Sequence, residues 1–234
     1  FLSKSKTGFS YKVNAEEGQQ YFHTYLEGWY FEYMFESAKY EDGEEFDEKV
    51  FIWNLLADHG IFDESAKEFE WYTGKEHPMR GDVAFIVPGT RYYVLTALWN
   101  EDMGGWIEKP EVIGFDLEEP GTSNSTIDCS IDGLSPYSVS IRMEMDADQV
   151  SFYMWDFFEK SQYKSYVAEN GIEGIMAYVS EYALGKGQAK VNTYTDTWSV
   201  DPGTSYMLCV YGVDHTGDEF YTELEVDVPM PDAK

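Results

Sequence analysis

The chain has 234 residues, of which 43% are hydrophobic and 18% aromatic, enough to bury one large core or two of ordinary size. Its 16 Lys and Arg against 44 Asp and Glu give a formal charge of -28, which repels phosphate backbones and anionic bilayers and excludes nucleic acid as a partner. No apolar stretch has the length of a membrane span, and we attribute the acidity to a solvated surface kept soluble by self-repulsion.

The first half begins with strand-like sequence and continues into a helical insertion. The stretch YKVNAEEGQQYF starts at Tyr11 and has the pattern of strands. We then expect one helix from about Asp47 that ends near Gly60, followed by a short second helix capped by Asp63. The acidic run EDGEEFDE, from Glu41, lacks the register and distal Glu of an EF-hand, so we expect a solvated loop there.

The turn Pro88-Gly89-Thr90 leads into a run that is apolar on both parities up to Asn100. One parity holds Tyr92, Val94, Thr96 and Leu98, and the other holds Tyr93, Leu95, Ala97 and Trp99. A strand that is apolar on both faces is covered on both faces. We therefore predict that the helical insertion packs over the second face, and the alternative is an exposed apolar patch that binds a partner protein.

A domain boundary is indicated by EEPGTSNST, where Pro120, Gly121 and small polar residues interrupt the strand pattern. We predict one module over residues 1–120, with the longer acidic and helical insertion, and a second over residues 121–234.

The second half reads mostly as strands by its alternation of polar and apolar residues. STIDCSID directs Ile127, Cys129 and Ile131 to a buried face, and SVSIRMEM alternates strictly from Ser138. QVSFYMWDFF is apolar on both parities, and TELEVDV directs its aliphatic residues inward. We expect Cys129 to point into the core and Cys209 to point away from it, both as free, packed thiols.

A helix is expected over NGIEGIMAYVSEYAL, with Asn170 and Glu173 forming a capping box at its start. Its apolar stripe at helical spacing consists of Ile172, Ile175, Met176, Val179 and Tyr182. This stripe is the predicted cover for the outer face of the strand that follows Pro202.

The chain repeats itself, because three landmarks recur in the same order. Pro88-Gly89-Thr90 returns as Pro202-Gly203-Thr204, YKVNAEEGQQYF matches IRMEMDADQVSF in pattern, and ADHGI matches AENGI. We infer two homologous modules, with extra residues in the first between its second strand and ADHGI.

The repeated turn and strand resemble those that lead into the sixth strand (F) of fibronectin type III domains. The matching residues are Pro88, Gly89, Thr90, Tyr92, Val94, Thr96, Leu98 and Asn100, and again Pro202, Gly203, Thr204, Tyr206, Leu208, Val210, Gly212 and Asp214. The resemblance implies a mainly β fold of two tandem immunoglobulin-like β-sandwiches, each with a tyrosine corner and a helical insertion on one sheet. With only ten residues before Tyr11, the first strand of module 1 is expected to be short or missing.

A narrower resemblance is to the tandem fibronectin-like modules, with a helix spliced between strands, of surface lipoproteins from gut bacteria. It implies an exported protein at the cell surface or on the periplasm-facing outer membrane. It also implies a lipid anchor on a cysteine upstream of Phe1, outside this sequence.

No sequence motif for catalysis or cofactor binding is present. The histidines His23, His59, His77 and His215 stand in unrelated segments without metal-ligand spacing, and there is no P-loop or GxGxxG. No Ser-His-Asp or Cys-His set can be assembled from motifs. We therefore expect a non-enzymatic protein without cofactor or metal.

Ligands of such sandwiches commonly bind at the end loops. The candidate residues are Asn100, Glu101, Asp102 and Trp106 in module 1, and Asp214, His215 and Asp218 in module 2. Hairpin turns explain the Asp and Gly of these acidic loops, although calcium binding remains an open alternative. Most of the other tryptophans are expected in the cores or under the helices.

These observations favour a non-catalytic binding or adhesion protein whose ligand, a protein or a glycan, the sequence does not name. One alternative is a glycan-binding component of a polysaccharide-uptake system, with Trp106 as the stacking residue. The other is a glycosidase accessory domain or an unrecognised enzyme, since the 44 acidic residues offer carboxylates but nothing selects a pair.

Overall fold

The computed structural model describes residues 3–77 and 83–231. The chain divides into two compact units, Phe1–Glu119 and Pro120–Lys234, called module 1 and module 2 below. Among the described residues, no helix has both the length and the apolarity needed to cross a bilayer.

Module 1 is built from antiparallel strands with a helical insertion after its third strand. The elements are β1 (Ser3–Lys4), β2 (Gly8–Val13), β3 (Gln20–Glu27), α1 (Gly28–Asp42), α2 (Glu48–His59), β4 (Ile61–Glu64), β5 (Lys67–Tyr72), β6 (Arg91–Asn100), β7 (Gly105–Trp106) and β8 (Glu111–Asp116), with a 3-10 turn (Gly43–Glu45) between the helices. One sheet has the order β1-β2-β5, and the other has β4-β3-β6 with β7 and β8 both paired to β6.

Module 2 has the same plan with one helix. Its elements are β9 (Ile127–Ser135), β10 (Ser138–Met145), β11 (Val150–Glu159), α3 (Lys160–Tyr182), β12 (Gly185–Gln188), β13 (Thr193–Ser199), β14 (Ser205–Asp214) and β15 (Glu219–Asp227). The sheets β9-β10-β13 and β12-β11-β14-β15 are the three-stranded and four-stranded sheets of a fibronectin type III sandwich. In that nomenclature β9 is strand A, β10 is B, β11 is C, β14 is F and β15 is G.

The turns that precede β6 and β14 have the geometry that their sequences predict. Gly89 and Gly203 adopt φ of 70° and 73°, which Pro-Gly turns require and which residues with a Cβ rarely adopt. The Tyr92 hydroxyl accepts the Val87 N–H at 2.9 Å, and the Tyr206 hydroxyl accepts the Asp201 N–H at 3.1 Å. Both modules therefore contain a tyrosine corner.

The outer face of β6 is covered, as predicted. Leu95 and Ala97 are buried in a cluster with Phe31 of α1 and Leu56 of α2, separate from the inter-sheet core that holds Tyr92. The hypothesis of an exposed apolar patch on this face is therefore wrong.

The outer face of β14 is covered in the same way. Met207 and Cys209 are buried, and α3 packs on β14 and β11 through Ile175 and Val179, which are fully buried. Of the predicted stripe, Ile172 and Tyr182 lie at its margin and are exposed.

The helical insertion of module 1 differs from the prediction in two respects. Helix α1 was not predicted, whereas α2 begins as expected with the Asp47 carboxylate accepting the Lys49 N–H at 2.9 Å, and it ends at Gly60. The predicted second helix capped by Asp63 is wrong, since this segment forms β4 and β5. Ser65 adopts φ of 60° between them, which breaks a helix and redirects the chain from one sheet to the other.

Helix α3 consists of two helical stretches that meet at a kink at Gly171, where φ is 70° and ψ is -176°. The stretch after the kink begins where the helix was predicted, and the stretch before it was not predicted. The predicted capping box is wrong, since the Asn170 amide donates to the Tyr166 carbonyl at 3.2 Å. The match of ADHGI with AENGI is also not structural. The first ends α2 and leads into β4, whereas the second lies inside α3, so the inferred insertion before ADHGI is misplaced.

Strand β9 departs from its predicted burial at one residue. Ile127 is buried and Cys129 packs against the core, but Ile131 is 39% exposed. Ile131 still lies opposite the buried Ile141, on the same face as Cys129, and the bulge follows it, between Ile131 and Gly133.

Candidate functional site

A groove of about 270 Å³ opens at one edge of module 1. We call it the edge groove and define it by Tyr11, Lys12 and Val13 of β2, Val94 and Leu98 of β6, and Ile113 of β8. Strands β2 and β6 belong to opposite sheets, so the groove reaches from the module surface into the space between the sheets.

The edge groove has an apolar floor and a charged rim. Alternation directs Val94 and Leu98 inward, whereas Ile113 at the mouth is 44% exposed. The rim carries Lys12 and Lys109 together with Glu108 and Glu111, so the charges at the mouth balance although the chain is strongly acidic. This arrangement suits a ligand that is partly apolar and can form hydrogen bonds at the rim.

His23 lies behind one wall of the groove and is fully buried. Its Nδ1 is 2.7 Å from the Tyr11 hydroxyl, and its ring centroid lies 3.8 Å from that of Phe69. Its Nε2 has no hydrogen-bond partner among the described residues. Burial lowers the pKa of His23 to about 4, against the opposing effect of Asp63, so the ring is neutral at physiological pH. His23 therefore positions the Tyr11 wall.

The predicted residues of the first end loop form a turn between β6 and β7. The Asn100 Oδ1 accepts the Met103 N–H at 3.0 Å, and the Glu101 carboxylate accepts from the Gln20 side chain at 3.2 Å. Asp102 is exposed. The Asn100 and Glu101 contacts therefore stabilise this turn.

Trp106 lies on the short strand β7 and is half-buried. Its ring stacks on Trp53 of α2 at a centroid distance of 6.2 Å and meets Trp99 edge-on at 5.0 Å. The side chain therefore closes one end of the cluster beneath the helices of module 1, and this packing reduces the ring face available for a sugar.

Two of the predicted residues of module 2 bind the segment that precedes β9. The Asp214 carboxylate accepts the Ser123 hydroxyl at 2.5 Å, and the Asp218 carboxylate accepts the Gly121 N–H at 2.7 Å. Burial alone raises the pKa of Asp214, but hydrogen bonds from Ser123, Thr216 and Asp218 outweigh burial and lower it below its usual range. The His215 Nε2 lies 3.1 Å from the Ala147 carbonyl oxygen.

The predicted candidates of module 1 thus lie around the β6–β7 turn, and those of module 2 lie around the β14–β15 turn. Among residues 3–77 and 83–231, no three His, Cys, Asp or Glu side chains are grouped closely enough to hold a metal ion. The edge groove was not predicted. Its lining comes from β2, β6 and β8, which are far apart in the sequence, so no local pattern indicated it.

Both cysteines are free. Cys209 is fully buried beneath α3, and burial raises the pKa of its thiol to about 12. Burial also raises the pKa of Cys129 to about 12. At neutral pH neither group is a thiolate, which is the reactive form of cysteine.

Comparison with solved structures finds tandem fibronectin type III segments of animal proteins. The chain is similar to the FN1-FN3 domains of chicken CNTN1, with 10% identity, a TM-score of 0.34 and coverage of 97% of this chain and 64% of that one. It is similar to a two-domain fibronectin type III segment from chicken tenascin, with 10% identity, a TM-score of 0.30 and coverage of 97% and 95%. No protein-family profile and no curated protein matches the sequence.

The order of strands within the described sheets is what assigns the fold. Module 2 has the three-plus-four arrangement, and module 1 has the same strand order with the short strand β7 as a fifth strand of its larger sheet. Each module is a fibronectin type III-like β-sandwich with helices packed on its larger sheet.

Proposed function

We propose that the chain is a non-catalytic binding or adhesion protein that is exported and attached to a bacterial cell surface through a lipid upstream of Phe1. The observation that carries the binding function is the edge groove of module 1, which has an apolar floor and a charged rim. The helices cover the outer faces of the β6 and β14 sheets, so these sheet faces are not available to a ligand.

The state of the reactive side chains supports a non-catalytic function. The Asp214 carboxylate is engaged by donors from its own module, and burial keeps the Cys209 thiol protonated. Neither group has the exposed, activated state that a nucleophile or general base needs.

The proposal can be tested by labelling this protein with a fluorophore and measuring its binding to a panel of bacterial and animal cells by flow cytometry. Ile113→Asp places a charge at the mouth of the groove, and Ile131→Asp, at a residue of similar exposure in module 2, is the matched control. We expect the first variant to lose at least tenfold in binding at an unchanged melting temperature, and the control to bind like the wild type. Equal binding by both variants, or turnover of a glycan by the pure protein, would contradict the proposal.

Export and anchoring need a separate experiment. Fractionation of the producing bacterium with an antibody against this chain should place it in the membrane fraction, accessible to protease on intact cells. Recovery from the cytoplasm would overturn the surface location but not the binding function.

A second candidate function, glycan binding, is favoured by an aromatic stripe on α1. Trp29, Tyr33 and Tyr40 share one helical face and are 36%, 65% and 90% exposed. Exposed aromatic faces beside carboxylates such as Glu36 are suited to stack on sugar rings and bind their hydroxyls.

A glycan array distinguishes this candidate from protein binding. The double variant Tyr33→Ala and Tyr40→Ala should abolish glycan retention, whereas Trp106→Ala, which alters a packed ring, should mainly lower stability. No retention of any glycan by the wild type would count against the candidate.

A further inference from the structure

Strand β15 lies at one edge of the larger sheet of module 2. In the described sheet it pairs only with β14, apart from one bridge at its first residue, Glu219. The Glu219 N–H donates outward, to the Gly121 carbonyl at 2.9 Å, so the odd-numbered residues of β15 direct their backbone to the outer edge. Beyond this bridge, the backbone groups of Tyr221, Glu223 and Glu225 have no partner strand in the described part of the chain.

The described chain leaves this edge at both ends. The segment that bridges Glu219 bonds to it through the Ser123 N–H at 2.8 Å and then continues into β9 of the opposite sheet. After β15, the Val228 N–H donates to the Thr204 carbonyl at 3.1 Å, so the chain continues beside β14. The open stretch of backbone is therefore bounded by described residues on both sides.

The space between the two sheets is open along the same edge. β9 is the edge strand of the smaller sheet and lies beside β15. Ile131 and Leu134 of β9 point to the inner face, opposite the buried Ile141 and Val139, yet they are 39% and 42% exposed. An inward side chain of an edge strand is exposed where the opposite sheet does not cover it. The open edge, as we call this surface, consists of the β15 backbone from Tyr221 to Glu225 together with Ile131 and Leu134.

The charges beside the open edge favour a basic partner over a second copy of this chain. The Glu223 carboxylate accepts the Tyr163 hydroxyl at 2.5 Å, Glu225 pairs with Lys160, and Asp227 is exposed, so acidic groups outnumber basic ones along β15. Antiparallel pairing of β15 with its own copy would place two such acidic rows side by side, on chains that each carry a charge of -28.

We propose that the open edge of module 2 binds an extended basic strand of a second polypeptide, which pairs antiparallel with β15 and extends its sheet. The outer side chains of this strand, Lys or Arg, lie beside Glu223 and Glu225. Its inner side chains are aliphatic and cover Ile131 and Leu134. The open edge and the edge groove belong to different modules, so this inference goes beyond the binding function proposed above.

The probe is a peptide of about nine residues in which Lys and Val alternate. Residues that lie directly opposite in an antiparallel pair share one face, so the Lys N–H groups point to β15 and the Val N–H groups point to solvent. N-methylation of the Lys residues therefore removes the pairing donors, and N-methylation of the Val residues is a control of equal charge and similar composition. By fluorescence anisotropy, we expect Lys methylation to weaken binding at least tenfold relative to Val methylation. Equal binding of the two peptides would overturn the proposal.

Amide exchange followed by NMR locates the pairing. In the free protein the Glu223 amide should exchange at least tenfold faster than the Leu224 amide, which faces β14, and the probe should slow Glu223 exchange at least tenfold. Slow exchange at Glu223 without the probe would show that the chain itself, or at high concentration a second copy, already occupies this edge. Protection elsewhere would show a different site. Each of these results refutes the proposal.

Substitutions test the apolar part of the open edge. The double variant Ile131→Ser and Leu134→Ser removes both aliphatic contacts without adding a charge that would itself attract lysine, and it should weaken probe binding at least tenfold. Ile172→Ser, at a residue of similar exposure on α3, is the matched control and should bind like the wild type. Melting curves verify that both variants fold. Equal probe binding by the two variants would contradict the proposed contacts.

Ile113→Asp separates this proposal from the function of the edge groove. It should abolish cell binding and leave probe binding unchanged, whereas the double variant should do the reverse. If Ile113→Asp abolishes cell binding but the two methylated peptides bind equally, only the open-edge proposal fails. If the peptides differ as expected but Ile113→Asp leaves cell binding intact, only the edge-groove function fails.

Discussion

The buried imidazole of His23 predicts how the stability of module 1 depends on pH. The ring is neutral in the folded protein, with a pKa of about 4, and has the ordinary value of 6.5 when the chain unfolds. As the pH falls below 6.5, the unfolded state takes up a proton that the folded state does not. This contribution to stability is therefore complete above pH 6.5 and is lost as the pH falls towards 4.

The magnitude follows from the interval between the two pKa values. One pKa unit corresponds to about 1.4 kcal/mol, so pH 5 lies about 1.5 units below the unfolded value and costs module 1 about 2 kcal/mol relative to pH 7. The effect reaches about 3 kcal/mol near pH 4. Lys67 and His77 disfavour protonation of His23 in the folded state, and Asp63 opposes them.

The assay is equilibrium urea unfolding at pH 7 and pH 5, followed by the NMR cross-peaks of module 1 so that module 2 does not contribute. His23→Gln is the reference because glutamine does not titrate, accepts a hydrogen bond from Tyr11, and leaves every carboxylate in place. The wild type should lose about 2 kcal/mol more than this variant between the two pH values. Equal losses, or a folded His23 that titrates near pH 6.5, would refute the reasoning.

The remaining predictions concern module 2. Ile175→Asp should strongly lower the melting temperature of module 2, because it buries a carboxylate between α3 and the sheet. Ala177→Asp, on the exposed face of α3, should change the melting temperature little. Equal melting curves for the two variants would contradict a helix that covers the sheet. Alkylation at pH 8 should leave Cys209 unmodified until urea is added, and rapid native labelling by mass spectrometry would exclude its burial. Tyr206→Phe should cost about 1 kcal/mol in chemical denaturation by leaving the Asp201 N–H without its acceptor, and an unchanged midpoint would exclude this role.

The features that could be predicted from sequence are those that depend on local pattern. Alternation in SVSIRMEM located β10, and the Pro-Gly turns located β6 and β14, because side-chain parity and positive φ are fixed by neighbouring residues. The cover of α3 over β14 was also predictable, since an apolar stripe and a strand without polar residues each need a partner.

The errors arose where tertiary pairing decides the structure. The segment after Gly60 has a helix-like composition, yet it forms β4 and β5 because β3 and β2 offer it unpaired edges. Helix α1 was missed because its aromatic residues lie on exposed as well as buried faces, so no single apolar stripe stands out. Trp106 was expected in a loop, and its contacts with Trp53 and Trp99 depend on the fold of α2 over β6.

The edge groove could not be predicted from the sequence because its walls come from β2, β6 and β8, which only the fold brings together. Both modules fill the outer face of the larger sheet with helices, and both close the turn before strand F with a tyrosine. In module 2, β9 lies opposite β10, and its leading segment is held by Asp214 and Asp218. The acidic residues that were predicted as a ligand site in module 2 therefore stabilise the segment that leads into β9.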